Sequence, residues 1–369
     1  MFNIGRPVTG ENFYDRSRML KLLIRFIQDG QDAMIKAPRR YGKTSLIKEA
    51  FGEAKRKMLY VDLRRETRFE TIAEKIIDYG YEIMGLQGFA ARAGKSVVDL
   101  LSDAEKELSL DFGLVKASIR LLEQKERKEG HELLAEALDN LFAIAKSRGE
   151  RFYVVFDEFQ DIGEFGYKKD AVLELLRGTI QHHERHVVYY FLGSIETIMS
   201  EIFENRKSPF YNYCRRLTLE PFDYGEIETD LIAAFRGKGI VFEERKTLRA
   251  CIERLSGHPA NTMVVMQNLY YIALEKDIKT VTSDDIEMAY EAGYEEVLDL
   301  VEEYVREIKS KKHFHDVIYR LANGLPQRLK GPALRQVYRG LENMGHITRI
   351  GRGDYRINDG FLVEYLKEG

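Results

Sequence analysis

Short apolar runs alternate with longer stretches in which apolar residues recur three and four apart. The runs are 33–37, 57–63, 151–156, 186–192 and 217–219, and each reads as a strand. Helical spacing marks 17–27, with Met19, Leu22, Leu23 and Phe26 on one face, and the stretch after Ser45, with Leu46, Ile47, Ala50 and Phe51. It recurs over 69–84, 132–146, 172–183 and 195–203. Strands alternating with helices predict a parallel sheet covered by helices on both faces. After Pro221 the strands give way to helices over 224–235, 244–255, 261–275 and 283–304, the last announced by the capping signal Thr282-Ser283-Asp284-Asp285. Two more helices are expected over 313–321 and 333–344. Alternation over 348–357 then predicts a hairpin around Gly351-Arg352-Gly353-Asp354. Residues 1–16 are irregular, and the pattern between 85 and 130 is weaker: a helix over 97–108, a hairpin-like insertion over 111–122 and a charged turn over 123–130.

These periods divide the 369 residues into an α/β unit (1–221), an all-helical lid (222–305) and a small unit (306–369). Charge sharpens the second boundary. Residues 283–307 hold 10 acidic residues against Arg306 alone, whereas 308–369 hold 12 Lys and Arg against 6 Asp and Glu. The whole chain is near balance at −3, so any nucleic-acid surface must be local, and the basic last unit is its natural place. Cys214 and Cys251 are isolated, which argues for neither a disulfide framework nor a metal site and makes a reducing cytoplasm the default. No apolar signal stretch opens the sequence, and no run of about 18 apolar residues suggests a membrane span.

The chemistry centres on Ala37-Pro38-Arg39-Arg40-Tyr41-Gly42-Lys43-Thr44-Ser45, which joins the first strand to a helix. Such a loop turns backbone N–H groups toward phosphate oxygens. The helix N-terminus adds positive potential, Lys43 reaches the terminal phosphates, and the Thr44 hydroxyl can ligate Mg²⁺. The P-loop pattern wants Gly where Ala37 stands. Ala is tolerated there only at negative φ, which the end of a strand provides.

The third strand runs into Asp157-Glu158. Carboxylates at the C-terminal end of a buried strand lie where open α/β sheets bind ligands. Asp157 is placed to hold Mg²⁺ with Thr44, and Glu158 to orient and polarise the attacking water. The fourth strand ends in Gly193-Ser194; if it lies between the first and third, Ser194 meets the γ-phosphate or the water, and otherwise it is a helix cap. Arg215 and Arg216 precede the fifth strand, and either guanidinium could stabilise charge at the γ-phosphate, in its own subunit or a neighbour's. Gly257-His258-Pro259 opens a helix of the lid, where His258 or the helix N-terminus could contact nucleotide.

Together these residues resemble the P-loop ATPase family described as predominantly archaeal, a branch of the AAA+/STAND ATPases. The likeness rests on Pro38 to Ser45, on Asp157-Glu158-Phe159-Gln160, on Gly193-Ser194, on Pro209, Tyr211 and Arg215 or Arg216, and on Gly257 and Pro259. Phe13-Tyr14-Asp15-Arg16 is similar to the segment lining the family's adenine pocket, usually Phe-x-Gly-Arg, with Asp15 in place of the Gly. The resemblance implies strand order 5-1-4-3-2, a helical lid, a C-terminal winged helix, and ATP contacts from Phe13, Tyr14, Arg16, Pro38 to Ser45, His258 and Pro259. Three functions follow as expectations: a Mg²⁺-dependent ATPase that moves lid and winged helix, a conformational switch that keeps its ATP and acts through protein partners, and a protein that binds duplex DNA through 306–369. Whether the chain forms a homo-oligomer is left open.

Overall fold

A computed structural model describes residues 6–66, 68–83, 129–194 and 196–368. The helix expected over 97–108, the hairpin over 111–122 and most of the turn over 123–130 fall outside them.

Five strands form one parallel sheet: β1 (Ala33–Lys36), β2 (Leu59–Asp62), β3 (Phe152–Asp157), β4 (Val187–Gly193) and β5 (Arg215–Thr218). Their order is β2-β3-β4-β1-β5, which is 5-1-4-3-2 read from the other edge. Along β3 and β4 the side chains alternate between two apolar clusters. Phe152, Val154, Phe156, Val187, Tyr189 and Phe191 join one, and Tyr153, Val155, Val188, Tyr190 and Leu192 join the other. A strand buried on both faces has no polar side to show, which is why these segments read as continuous apolar runs.

Helices α1 (Ser17–Asp29) and α2 (Lys43–Glu53) cover the second cluster. Helices α3 (Phe69–Ile83), α4 (Gly130–Arg148), α5 (Lys169–Ile180) and α6 (Glu196–Phe203) cover the first. Between Phe159 and Gly163 the chain makes a 3₁₀ turn directly after β3.

Beyond Pro221 come α7 (Tyr224–Arg236), α8 (Arg245–Arg254), α9 (Pro259–Glu275) and the long α10 (Ser283–Lys309). The Thr282 signal forms a complete capping box with Asp285. This block is helical apart from one short parallel ladder, β6 (Val241–Phe242) with β7 (Thr280–Val281), too brief to leave a period in the sequence. Then follow α11 (Phe314–Ala322), α12 (Gly331–Asn343), the antiparallel hairpin β8 (Ile347–Gly351) and β9 (Asp354–Ile357), and α13 (Gly360–Glu368). One apolar cluster runs from Phe222 through α7–α10 to Leu366, so the last two units share a core.

Two ion pairs join the last unit to the sheet unit: Arg339 of α12 meets Glu201 of α6, and Arg356 of β9 lies 3.6 Å from Glu220. Among the described residues no helix is long and apolar enough to cross a membrane.

Candidate functional site

Because β4 lies between β1 and β3, the C-terminal ends of these three strands bring Lys43, Asp157, Glu158 and Ser194 together. The P-loop turns on two left-handed residues, Arg40 at φ 64° and Gly42 at φ 84°. Ala37 is not among the residues with positive φ, which meets the condition its Cβ imposes. The Lys43 ammonium is buried and donates to the carbonyl oxygens of Ala37 (3.1 Å) and Pro38 (3.3 Å). Those oxygens occupy its donors as phosphate oxygens would. Arg39 and Arg40 are exposed within the loop.

Asp157 is 5% exposed, and its two oxygens divide the work. Oδ1 accepts from the Glu158 amide at 2.9 Å. Oδ2 accepts from Thr44 Oγ1 at 2.9 Å and from the Tyr60 hydroxyl. A hydroxyl and a carboxylate oxygen this close form a hard-donor pair of the kind Mg²⁺ takes, with phosphates and water completing its shell. Among the described residues no group of three or more His, Cys, Asp and Glu could hold a metal without such help.

Glu158 sits at φ 53°, in the left-handed region, at the start of the 3₁₀ turn. Such a conformation is uncommon outside glycine, and the surroundings hold this one in place. Its Oε2 accepts from Ser194 Oγ at 2.5 Å and from Gln160 Nε2 at 2.6 Å, and Arg64 lies 3.2 Å away. Burial pushes the Glu158 carboxyl up, but Lys43, Ser194, Gln160 and Arg64 outweigh it and hold the group below its ordinary value, so it is ionised. Ser194 is 1% exposed. Gly193 before it admits no side chain: a Cβ there would stand 2.3 Å from Met199 and 2.9 Å from Gln160 Oε1.

The other expected contacts take different places. Ser45 Oγ accepts from the Val8 amide at 3.1 Å and so ties the N-terminal segment to α2. Phe13 packs with the cluster under α1 and α2, whereas Tyr14 packs with the cluster that runs from Phe222 through α7–α10. Asp15 has φ 55°, which explains the Gly usual at this position, and Arg16 has φ 75°. The Arg16 guanidinium lies over the Phe222 ring at 5.2 Å and donates to the Pro221 carbonyl at 3.4 Å, just before α7.

His258 caps α9, its Nδ1 accepting from the Asn261 amide at 3.2 Å, and Pro259 begins that helix. Burial lowers the His258 pKa, so the ring is neutral, as that acceptor role requires. Its ring meets Tyr41 edge-on at 5.2 Å. The Tyr41 hydroxyl in turn donates to the Asn358 carbonyl of the last unit at 3.1 Å. Nothing in the spacing of the chain announced this three-way joint.

Arg215 and Arg216 are not brought to the P-loop. They are exposed and pair in register with Ala33 and Met34, at the start of β1, while the P-loop follows its end. Because β5 is parallel to β1, residues that open it lie at the opposite end of the sheet from the P-loop of the same subunit. Tyr60, Arg64 and the role of Gln160 were also missed. The available signal was Tyr60-Val61-Asp62 on a strand that proves to be the neighbour of β3.

A P-loop after β1, acids at the end of β3 and a polar residue at the end of the intervening β4 define an AAA+-like P-loop ATPase fold. The chain belongs to the family described as ATPase domain predominantly from Archaea, which residues 13–238 match. No curated protein matches the sequence. Among solved structures it is similar to a Walker-type ATPase of Pyrococcus abyssi, with TM-score 0.70, 17% identity and 99% of each chain covered. It is also similar to the ORC2 protein of Aeropyrum pernix in its ADPNP-ADP complexes, with TM-score 0.58, 15% identity, and 97% of this chain and 95% of that one covered. At these identities the likeness is one of fold.

Proposed function

We propose that the chain binds ATP with Mg²⁺ at the P-loop and hydrolyses it. The observation that carries this is Glu158: an ionised, half-buried carboxylate whose charge Lys43 favours, fixed by Ser194 on the strand between P-loop and acid pair. Lys43 would exchange the Ala37 and Pro38 carbonyls for phosphate oxygens. Thr44 and Asp157 would hold Mg²⁺, which when bound neutralises charge on the phosphates. Glu158 would orient the attacking water and accept its proton, and Ser194 would report the γ-phosphate to it. The test is a pair of variants. Lys43→Ala should lose most nucleotide affinity. Glu158→Gln should still bind ATP and turn it over roughly a hundredfold or more slowly.

A second reading, a switch that retains its ATP, is favoured by one observation. Glu158 Oε2 is engaged by Ser194, Gln160 and Arg64, which compete with a water for the same oxygen. Equal turnover in Glu158→Gln and the parent would select the switch. In either case residues 222–305 act as lid and 306–369 as a winged helix whose exposed Arg335, Arg349 and Arg352 suit a duplex backbone. Arg215 and Arg216, exposed as they are, suit a neighbour's nucleotide rather than their own; specific activity rising with protein concentration would support that use. A reducing cytoplasm suits the free thiols of Cys214 and Cys251.

A further inference from the structure

We propose that Tyr60 is a positioning residue that orients Asp157 for the metal of the nucleotide site. The inference rests on the P-loop reading above and adds a residue that the motifs do not contain. Tyr60 lies on β2, opposite Val155 in register, two residues short of Asp62, which pairs with Asp157. Its ring packs against the cluster beneath α1 and α2. The Lys48 ammonium lies 5.3 Å from the ring centroid. From there the hydroxyl reaches forward along the sheet to Asp157 Oδ2 and stands 3.5 Å from Thr44 Oγ1.

The three oxygens have unequal freedom. Thr44 Oγ1 can keep its proton on Asp157 and still offer lone pairs to a cation. The Asp157 oxygen must turn one lone pair to the metal shell while its plane stays fixed. Oδ1 is held by the Glu158 amide at 2.9 Å, at the position where the backbone enters its left-handed turn. Tyr60 supplies the matching restraint on Oδ2. A phenol is neutral near pH 7, and its O–H is directed here at the carboxylate rather than at solvent. Only a long rigid side chain bridges this gap, since the donor belongs to the neighbouring strand and not to the P-loop.

A hydrogen-bond partner that orients a metal-binding side chain typically changes metal affinity by about 10–100-fold when removed. The experiment measures equilibrium binding of fluorescently labelled ADP to the full chain, titrated with Mg²⁺ and, separately, in EDTA. Tyr60→Phe keeps the ring and its packing. It should raise the Mg²⁺ concentration at half-effect about tenfold, leave the EDTA affinity at the parent value, and keep the parent's denaturation midpoint. A Tyr60→Phe titration that overlays the parent overturns the role of Tyr60. So does an equal loss of affinity with Mg²⁺ and in EDTA, which would make the residue merely structural. If the parent itself binds equally with Mg²⁺ and in EDTA while Lys43→Ala abolishes binding, the metal reading and Tyr60's role both fall and the P-loop stands.

Discussion

Tyr41 offers a quantitative test of how the P-loop is joined to α9 and to the segment after β9. It is 1% exposed, yet it belongs to the P-loop, and its hydroxyl donates to the carbonyl of Asn358, which is 2% exposed. Tyr41→Phe removes one hydroxyl and leaves the ring against His258 at 5.2 Å. The loss is one buried hydrogen bond, and the Asn358 carbonyl is left in a place water does not reach. Leaving a buried acceptor unsatisfied costs about 1–3 kcal/mol. Tyr41→Ala also deletes the ring, and aromatic-to-Ala changes in a core cost about 3–5 kcal/mol. The chain has no tryptophan, so unfolding is best followed by circular dichroism in guanidinium chloride, with hydrogen exchange reporting on amides around Asn358. Faster exchange there, with a cost for Phe well below that for Ala, is the expected outcome. Parent-like stability and exchange in Tyr41→Phe would refute the joint. So would equal costs for the two variants, since the ring then contributes nothing.

Gly193→Ala should destabilise by about 1–3 kcal/mol, because its Cβ would stand 2.3 Å from the fully buried Met199; nucleotide turnover, measured alongside, should fall as Gln160 and Ser194 shift off Glu158. His346 is buried and its pKa is pushed down to about 4 by desolvation, with Asp359 opposing and Arg39 and Lys311 adding to the fall. Its unfolded form binds a proton near pH 6.5 that its folded form takes only near pH 4. Stability should therefore be lost as pH falls across that window, by about 3 kcal/mol, and denaturant midpoints of His346→Phe should lack that share of the slope. For duplex DNA, Arg335, Arg349 and Arg352 alone predict a log–log salt slope of roughly −3. Adding Arg339 and Arg356, now paired with Glu201 and Glu220, takes it to roughly −4 to −5, so the slope reads whether those pairs open.

The inner strands β3 and β4 were legible because they are buried on both faces and flanked by helical spacing. Strand order was reached through the likeness of the motifs rather than through any period. Order then decided what meets what: β4 between β1 and β3 turned Ser194 from one of two alternatives into a neighbour of Glu158. Arg215 and Arg216 went astray because β5 runs parallel to β1, so residues that precede or open it lie at the sheet's N-terminal edge, opposite the P-loop that follows β1. Tyr60 was hidden because a tyrosine in a strand looks like core until the adjacent strand is known. The joint through Tyr41 depends on Asn358, 317 positions away, and no local pattern carries a contact of that range.

Helix α6 begins at Glu196, two residues after Ser194; its Ser200, and Glu204 just after its end, both hold Lys36 of β1 at 2.8 Å, while its Glu201 meets Arg339 of α12. These contacts give a displacement of Ser194 a route to α6, and through α6 to α12. Linkage makes such sharing symmetric. Whatever factor ATP applies to the affinity of α12 for an outside ligand, that ligand must return to the affinity for ATP. A partner of the last unit can then be recognised without being labelled or immobilised, by adding candidates to the chain and watching its nucleotide affinity move.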